Sequence, residues 1–282
     1  MKRTLHAILL LAASAVVASA ATAGVATIES VQVPAWLDRG GLTVPAAPGI
    51  ELQAGDTLRT GRGARLLLKL SEGSAVKLGE NAQFTLESAQ RKNRVFQAAL
   101  SVLSGAFRFT TSALGKAQPR EVQVRVARNF TIGIRGTDLW GRGREDKDIV
   151  CLIEGKIDVT GNDNKTEKLD QPLQFFRSTR TASPEPVALL EAKQLEVWAA
   201  ETEITPGKAA IGKGAWKVII SGPASRDVAQ AANRQLRAAG YPAEKSGDSA
   251  LVIGHLNGEA EARDLADRLV AEFGFADVKV SK

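Results

Sequence analysis

Cysteine and histidine are almost absent from this chain of 282 residues. The one cysteine, Cys151, has no partner for an internal disulfide and cannot complete a multi-cysteine zinc or iron–sulfur site. The two histidines are His6 and His255, and His6 lies in the apolar stretch at the N-terminus. These absences exclude a three-histidine zinc site and the metalloprotease helix that carries a histidine pair.

Aromatic residues and a strong charge of one sign are also scarce. Aromatic residues make up 5% of the chain, and the formal net charge is +6. This composition does not indicate an aromatic-rich reader of nucleic acid. The modest basic balance points to anionic envelope polymers, to membrane surfaces or to nothing specific. Because no nucleophile, base and orienting group occur together, we expect no enzyme and no cofactor.

Residues 1–23 have the pattern of a secretory signal peptide. A basic start is followed by an apolar run from Leu5 to Val17 and by small residues up to Ala23. The apolar run is shorter than the roughly 20 residues of a spanning helix. We therefore expect cleavage near Ala20 or Ala23, a periplasmic protein without a membrane span after cleavage, and no contact with nucleic acid.

Residues 24–182 carry the two-residue period of short strands. Leu66, Leu68 and Leu70 alternate with other residues, and glycine turns recur about every ten residues. This pattern predicts an all-β roll or sandwich. The run from Ile149 to Ile153 reads as a strand buried on both faces, so Cys151 is interpreted as a buried apolar residue.

Residues 183–213 break the strand pattern and predict a helical linker. The helix is expected over about 187–203, with Val187, Leu190, Val197 and Trp198 in one arc. Packing of this helix on the β unit in the same chain is preferred to a role as a partner-binding helix. The glycines of residues 206–214 predict a flexible connection after it.

Residues 214–282 predict a second domain with the element order βαββαβ. Ser225 is a candidate N-cap for a helix that ends before Gly240, and a second helix is expected from Glu259 to Phe273. The inner face of the first helix is expected to carry Val228, Ala232, Leu236 and Ala239. This order is that of an α+β ferredoxin-like fold, in which two helices cover one face of a four-stranded antiparallel sheet.

The uncovered face of that sheet is the candidate ligand-binding surface. Strand alternation assigns five residues to it: Lys217, Ile219, Ala250, Val252 and Lys279. Residues 214–282 contain equal numbers of basic and acidic residues, so binding there is not expected to be mainly long-range electrostatic.

The β unit resembles the FecR-type domain of periplasmic regulators of iron–siderophore uptake. The resemblance is carried by glycine-turn motifs in a fixed order: Gly55-Asp56-Thr57-Leu58-Arg59-Thr60-Gly61, Ala64-Arg65-Leu66, Glu72-Gly73-Ser74, Leu103-Ser104-Gly105-Ala106-Phe107-Arg108, Arg135-Gly136-Thr137-Asp138 and Glu154-Gly155-Lys156-Ile157. It implies a ligand- or partner-binding domain without catalytic residues.

The C-terminal segment resembles the SPOR (sporulation-related repeat) family, which binds peptidoglycan. The matching residues are Trp216-Lys217-Val218-Ile219-Ile220, Leu236-Arg237-Ala238-Ala239-Gly240-Tyr241-Pro242 and Ile253-Gly254. The resemblance implies glycan binding on the open face. Ile219, Pro223, Ala250 and Val252 depart from the family pattern, and an apolar face of this kind would also suit the β unit or a protein partner.

Three other clusters have a functional and a structural interpretation. Arg135-Gly136-Thr137-Asp138 would suit an anion clamp, but a turn held by structural hydrogen bonds is preferred. The acidic residues Asp138, Glu145, Asp146 and Asp148 lack the spacing of a calcium loop. The basic run at residues 91–94 reads as a solvated hairpin tip that could also touch an anionic polymer.

The sequence therefore predicts a non-enzymatic periplasmic binding protein that its C-terminal domain targets to peptidoglycan. Two alternatives remain open. One is an envelope signalling regulator of the FecR type, which is disfavoured because no spanning helix follows the signal peptide. The other is an adaptor whose C-terminal sheet binds an envelope protein, which the apolar Ile219 and Val252 keep open.

Overall fold

A computed structural model describes residues 24–111, 119–127, 129–179, 185–221 and 225–282. The predicted signal peptide (residues 1–23), the expected boundary at residues 182–183 and Pro223 lie outside these ranges. None of the helices within them is long and apolar enough to cross a membrane. The described chain is rich in β-strands and has few helices.

The first unit consists of short strands, as the alternating pattern predicts. In the strand from Arg65 to Leu70, every second residue is buried. The strands of this unit are β1 (Ala26–Gln32), β2 (Ala35–Arg39), β3 (Leu42–Pro45), β4 (Glu51–Leu52), β5 (Thr57–Thr60), β6 (Arg65–Leu70), β7 (Ala75–Leu78), β8 (Gln83–Lys92), β9 (Val95–Thr110), β10 (Arg120–Val126), β11 (Phe130–Ile134), β12 (Asp138–Gly143), β13 (Lys147–Glu154), β14 (Ile157–Gly161), β15 (Thr166–Leu169), β16 (Gln174–Thr179) and β17 (Glu185–Leu189).

These strands form two sheets that share β9. Sheet I has the order β4–β1–β6–β7–β9–β12–β13–β16–β17. Sheet II has the order β3–β2–β5–β8–β9–β10–β11–β14–β15. Inward residues of both sheets, such as Leu68 of sheet I and Phe84 of sheet II, belong to one hydrophobic cluster. The two sheets therefore cover each other's apolar faces.

The long strand β9 changes sheets at Gly105. Its first part pairs with β8 and β10 in sheet II, and its last part pairs with β7 and β12 in sheet I. Gly105 has φ 84°, and a Cβ there would lie 2.5 Å from the Cα of Ala82. Only glycine fits this bend, because any side chain would collide with the neighbouring backbone.

The C-terminal unit has the element order βαββαβ. Its elements are β18 (Ala210–Ser221), α2 (Arg226–Ala238), β19 (Glu244–Ser246), β20 (Ala250–Leu256), α3 (Glu259–Phe273) and β21 (Asp277–Ser281), and they follow α1 (Ala192–Ala200). The four strands pair antiparallel in the order β19–β20–β18–β21. The Ser225 hydroxyl accepts a hydrogen bond from the Val228 N–H and caps α2, and Gly274 ends α3 with φ 71°.

The predicted inner face of α2 is wrong at its first position. Val228 is 50% exposed, and Ala229 is buried in its place with Ala232 and Leu236. These three residues are spaced by three and four positions, so they follow one face of a helix. Val228 precedes Ala229 by one residue and so points about 100° away from it around the helix, beyond the edge of the buried face.

The predicted flexible connection before the C-terminal unit is also wrong. The strand β18 runs through residues 212–214, and its first residues, Ala210 and Ile211, pair with β1 of sheet I. Ala210 and Ile211 are buried in the core. The expected domain boundary between residues 213 and 214 therefore falls inside a strand that belongs to both units. Pairing with β1 fixes the start of this strand, although its glycines predicted a flexible backbone.

The linker contains a shorter helix than predicted. Residues 185–189 form β17 on the edge of β16, so Val187 is not helical, and α1 begins at Ala192. Val197 is 58% exposed, whereas Trp198 stacks on Trp140 of sheet I with ring centroids 4.7 Å apart. Pairing with an available strand edge overrode the helical period at residues 187–190. The helix packs on the β unit in the same chain, as the preferred interpretation has it.

Candidate functional site

A groove of about 990 Å³ lies between the two units. One wall comes from β1, the β3–β4 connection and the end of β6, and the other comes from β18, β19 and β20. Its lining includes Glu29, Pro48, Lys69, Ile211, Lys213, Trp216, Lys217, Pro242, Glu244, Val252 and His255. Ligand sites occur preferentially at such junctions between units, because a cleft there is already formed by the fold.

The C-terminal sheet contributes to the groove with the face that its helices leave uncovered. Val218 and Ile220 of β18 and Leu251 and Ile253 of β20 are buried under α2 and α3. The residues between them in each strand therefore face the other way, as alternation predicts. The structure brings the five predicted residues to this face: Lys217, Ile219, Ala250, Val252 and Lys279.

Only part of that predicted set lines the groove. Lys217 and Val252 do, whereas Ile219, Ala250 and Lys279 lie on the same face beyond its rim. Ile219 is half-buried between its cross-strand partners Val252 and Lys279. The groove therefore uses one end of the predicted surface.

Sequence reasoning missed Trp216 as a groove residue. The register of β18 against β20 shifts between Ile211 and Trp216, so that both residues oppose Leu256. Such a bulge interrupts the strict alternation of faces, and Trp216 and its neighbour Lys217 both line the groove. The closely spaced glycines Gly212 and Gly214 were the available signal, because glycine within a strand often marks a bulge.

The charged side chains of the groove are unpaired. None of Lys69, Lys213, Lys217, Glu29 and Glu244 forms an ion pair within the described parts of the chain. Their hydrogen-bonding capacity is therefore open to water or to a ligand. Three lysines against two glutamates, beside the half-buried Trp216, make the groove suitable for a ligand with apolar surface and carboxylates.

The Arg135–Asp138 segment is a turn held by hydrogen bonds, as the preferred interpretation has it. Asp138 accepts hydrogen bonds from Arg108 Nε at 3.0 Å and Nη2 at 2.7 Å. The Thr137 hydroxyl donates to the carbonyl oxygen of Lys156 at 2.9 Å. These bonds occupy Thr137 and Asp138, whereas the exposed Arg135 remains without a side-chain partner among the described residues.

The other candidate clusters separate in the structure. Asp148 is buried, accepts a hydrogen bond from Asn129 at 2.6 Å and another from the Arg144 N–H, and so does not share a site with Asp138. No group of three or more histidine, cysteine, aspartate or glutamate side chains in the described ranges is placed to hold a metal ion. Cys151 is fully buried, and burial raises the pKa of its thiol to about 12.

Residues 56–158 match the family model described as FecR protein. The match covers the centre of both sheets, from the start of β5 to β14, and confirms the FecR part of the resemblance. It does not extend into the C-terminal unit, where the SPOR resemblance stays a prediction. No curated protein matches the chain.

Two crystal structures of a protein from Parabacteroides distasonis ATCC 8503, described as a "putative anti-sigma factor", are similar to this chain over most of its length. They share 12% and 13% identity with it, each at a TM-score of 0.42. The alignments cover 80% and 77% of this chain and 98% and 91% of those chains.

Proposed function

We propose that this protein is a non-enzymatic regulator of the FecR type that acts in the cell envelope by binding a protein partner. The observation that carries the proposal is the FecR match over residues 56–158, which form the centre of the first unit. The sequence analysis favoured peptidoglycan targeting and kept the regulator as an alternative. The proposal reverses this order and puts the regulator first.

Binding rather than chemistry is supported by where the unpaired charges lie. Lys69 and Lys213 line the groove without an ion-pair partner among the described residues. The one thiol, Cys151, is buried and protonated at neutral pH. Surfaces of this kind recognise partners by complementary charge and shape.

Action outside the cytoplasm is part of the proposal and is supported by the leader-like sequence of residues 1–23. Mass spectrometry of the native protein tests it. An N-terminus near Ala21 or Gly24 is expected, and an intact Met1 would contradict export by this leader.

The regulatory role is tested by comparing transcripts of the host with and without the gene. A regulator predicts that a small, defined set of transcripts changes several-fold and returns to normal when the gene is restored. A transcript profile that is unchanged by the deletion, under both iron-rich and iron-poor growth, would contradict the role.

Peptidoglycan binding by the C-terminal unit is a second candidate function. The observation that favours it is the groove, where Trp216 offers an aromatic face and Lys217 a cation next to the apolar Val252. Sugar rings have apolar faces, and wall polymers carry carboxylates, so these side chains suit such a ligand.

Co-sedimentation with purified sacculi tests this second candidate. Lys217→Glu is expected to reduce sedimentation, whereas the matched variant Lys279→Glu reverses a charge on the same sheet face outside the groove and should leave it unchanged. Equal sedimentation of both variants and the wild type would exclude the groove as the glycan site.

A further inference from the structure

A second recess lies at the edge of sheet II, on the first unit and away from the groove. It has a volume of about 560 Å³, and we call it the glycine notch. Its lining consists of Gly133, Arg135, Gly136, Gly155, Lys156, Ile157, Asp158, Lys168 and Asp170. Two of the FecR motifs, Arg135-Gly136 and Gly155-Lys156, meet in it although they are separated by two strands of sheet I.

The strand register explains how the notch forms. Gly133 of β11 lies opposite Asp158 of β14, and Asp158 lies opposite Lys168 of β15. Their neighbours Ile134 and Ile157 are buried in the core, so this row faces outward. A Cβ at Gly133 would have one neighbour, the Asp158 carbonyl oxygen at 3.8 Å, and a Cβ at Gly136 would have none within 4 Å. The missing side chains leave backbone as the floor.

The rim of the notch carries five charges that the protein does not neutralise by direct pairing. Arg135, Lys156 and Lys168 make no ion pair and no side-chain hydrogen bond with the described residues. The side chains of Asp158 and Asp170 make none either. This contrasts with Asp138 next to the same turn, whose carboxylate is held by Arg108 at both oxygens.

We propose that the glycine notch binds an extended, acidic peptide segment of a protein partner. A floor of glycine backbone lets another chain lie flat against the sheet. The arginine fork and the two lysines suit its carboxylates, since charge-assisted hydrogen bonds are stronger than neutral ones. The inference rests on the proposed function, because a regulator of this type requires a protein partner.

The acids of the rim distinguish a peptide from a phosphate polymer. Asp158 and Asp170 would repel the phosphates of a nucleic acid or of an anionic lipid surface, and a phosphodiester backbone offers these carboxylates no N–H donor in return. A peptide also presents backbone N–H donors, which these carboxylates accept. Charges of both signs around one backbone floor therefore fit an acidic peptide better than a polyphosphate.

Calorimetric titration of the purified full chain with N-acetyl tetraglutamate tests the proposal, with N-acetyl tetraglutamine as the matched peptide. We expect tetraglutamate to bind and tetraglutamine not to bind. Lys156→Glu should weaken tetraglutamate binding by about tenfold or more, the loss of one charge-assisted contact. Lys193→Glu, the same change at an exposed lysine on α1, is expected to leave it unchanged.

A steric variant separates a formed site from general charge attraction. Gly133→Leu keeps every charge and has room for its Cβ, but it fills the floor of the notch. It should abolish peptide binding, and circular dichroism melting should show that both Gly133→Leu and Lys156→Glu remain folded. Binding that survives Gly133→Leu, or that falls equally in Lys193→Glu, would overturn the proposal.

Failure of this inference differs from failure of the proposed function. If tetraglutamate does not bind while the gene deletion still changes a defined set of transcripts, the notch is wrong and the regulator stands. If the peptide binds as expected but transcripts never change, the site stands and the regulatory role is wrong.

Discussion

The two units of the molecule close their apolar surfaces in different ways. In the first unit, sheets I and II cover each other, and the outward recess of sheet II is made by missing side chains at Gly133 and Gly136. In the C-terminal unit, two helices cover one face of a four-stranded sheet, and the other face helps to form the groove. Both recesses therefore lie where a sheet face lacks cover. In the first unit the glycines carry no side chain, and in the C-terminal unit the helices cover only one face of the sheet.

The largest expected effect comes from a buried ion pair and tests whether the interior of the first unit excludes water. Glu72 and Arg120 are fully buried and face each other with Arg120 Nη1 3.6 Å from Glu72 Oε1. Glu72→Gln leaves a buried guanidinium without its counter-charge and should lower the free energy of unfolding by about 3 kcal/mol. Urea denaturation at neutral pH measures this.

The exposed pair of Arg125 and Glu87 is the control for that change. Glu87→Gln removes the acid of a solvated ion pair and should cost about 0.5 kcal/mol. Equal losses in the two variants would show that Glu72 is solvated and that this end of the first unit is open.

A smaller effect tests whether the packing between the two units contributes to the stability of the protein. Gly240 has φ 84°, and a Cβ there would lie 2.7 Å from Trp36 Cε2 of the first unit. The indole N–H of Trp36 also donates to the carbonyl oxygen of Ala238 at 2.9 Å. Gly240→Ala should therefore destabilise the protein by about 2 kcal/mol, from backbone strain and from the displaced contact.

Gly247→Ala is the matched control, because Gly247 also has a positive φ of 67° but open space around its Cβ. It should cost about 1 kcal/mol, the backbone part alone. Thermal melts of both variants should show one transition. Two separate transitions would show instead that the two units unfold independently.

The reactivity of Cys151 tests whether α1 and Trp198 cover the outer face of sheet I. Burial raises the pKa of this thiol to about 12, so the thiolate that reacts with alkylating reagents is nearly absent at pH about 8. The native protein should therefore resist iodoacetamide, and the denatured protein should react fully. Rapid labelling of the native protein would show that α1 and Trp198 do not cover this face.

Local patterns predicted much of this architecture. The limits of α3 and its stop at Gly274 follow from periodicity and a left-handed cap, which depend on neighbours in the chain. Alternation likewise placed Val218 and Ile220 inside and Lys217 outside.

The missed features depend on partners that are distant in sequence. The bulge that brings Trp216 to the groove is set by pairing with Leu256, and β17 exists because β16 offers an edge. The notch requires the register of three strands, which places Lys168 opposite Asp158. A single sequence does not encode such registers in any local pattern.

The most direct test of the central claim is to restore the deleted gene with variants of the two recesses and to measure the affected transcripts. The account predicts that wild type and Lys217→Glu restore the transcript levels, whereas Lys156→Glu, expressed at the same level, does not. This result would assign regulation to the first unit. Restoration by Lys156→Glu together with failure of Lys217→Glu would contradict the account and place the regulatory contact in the groove.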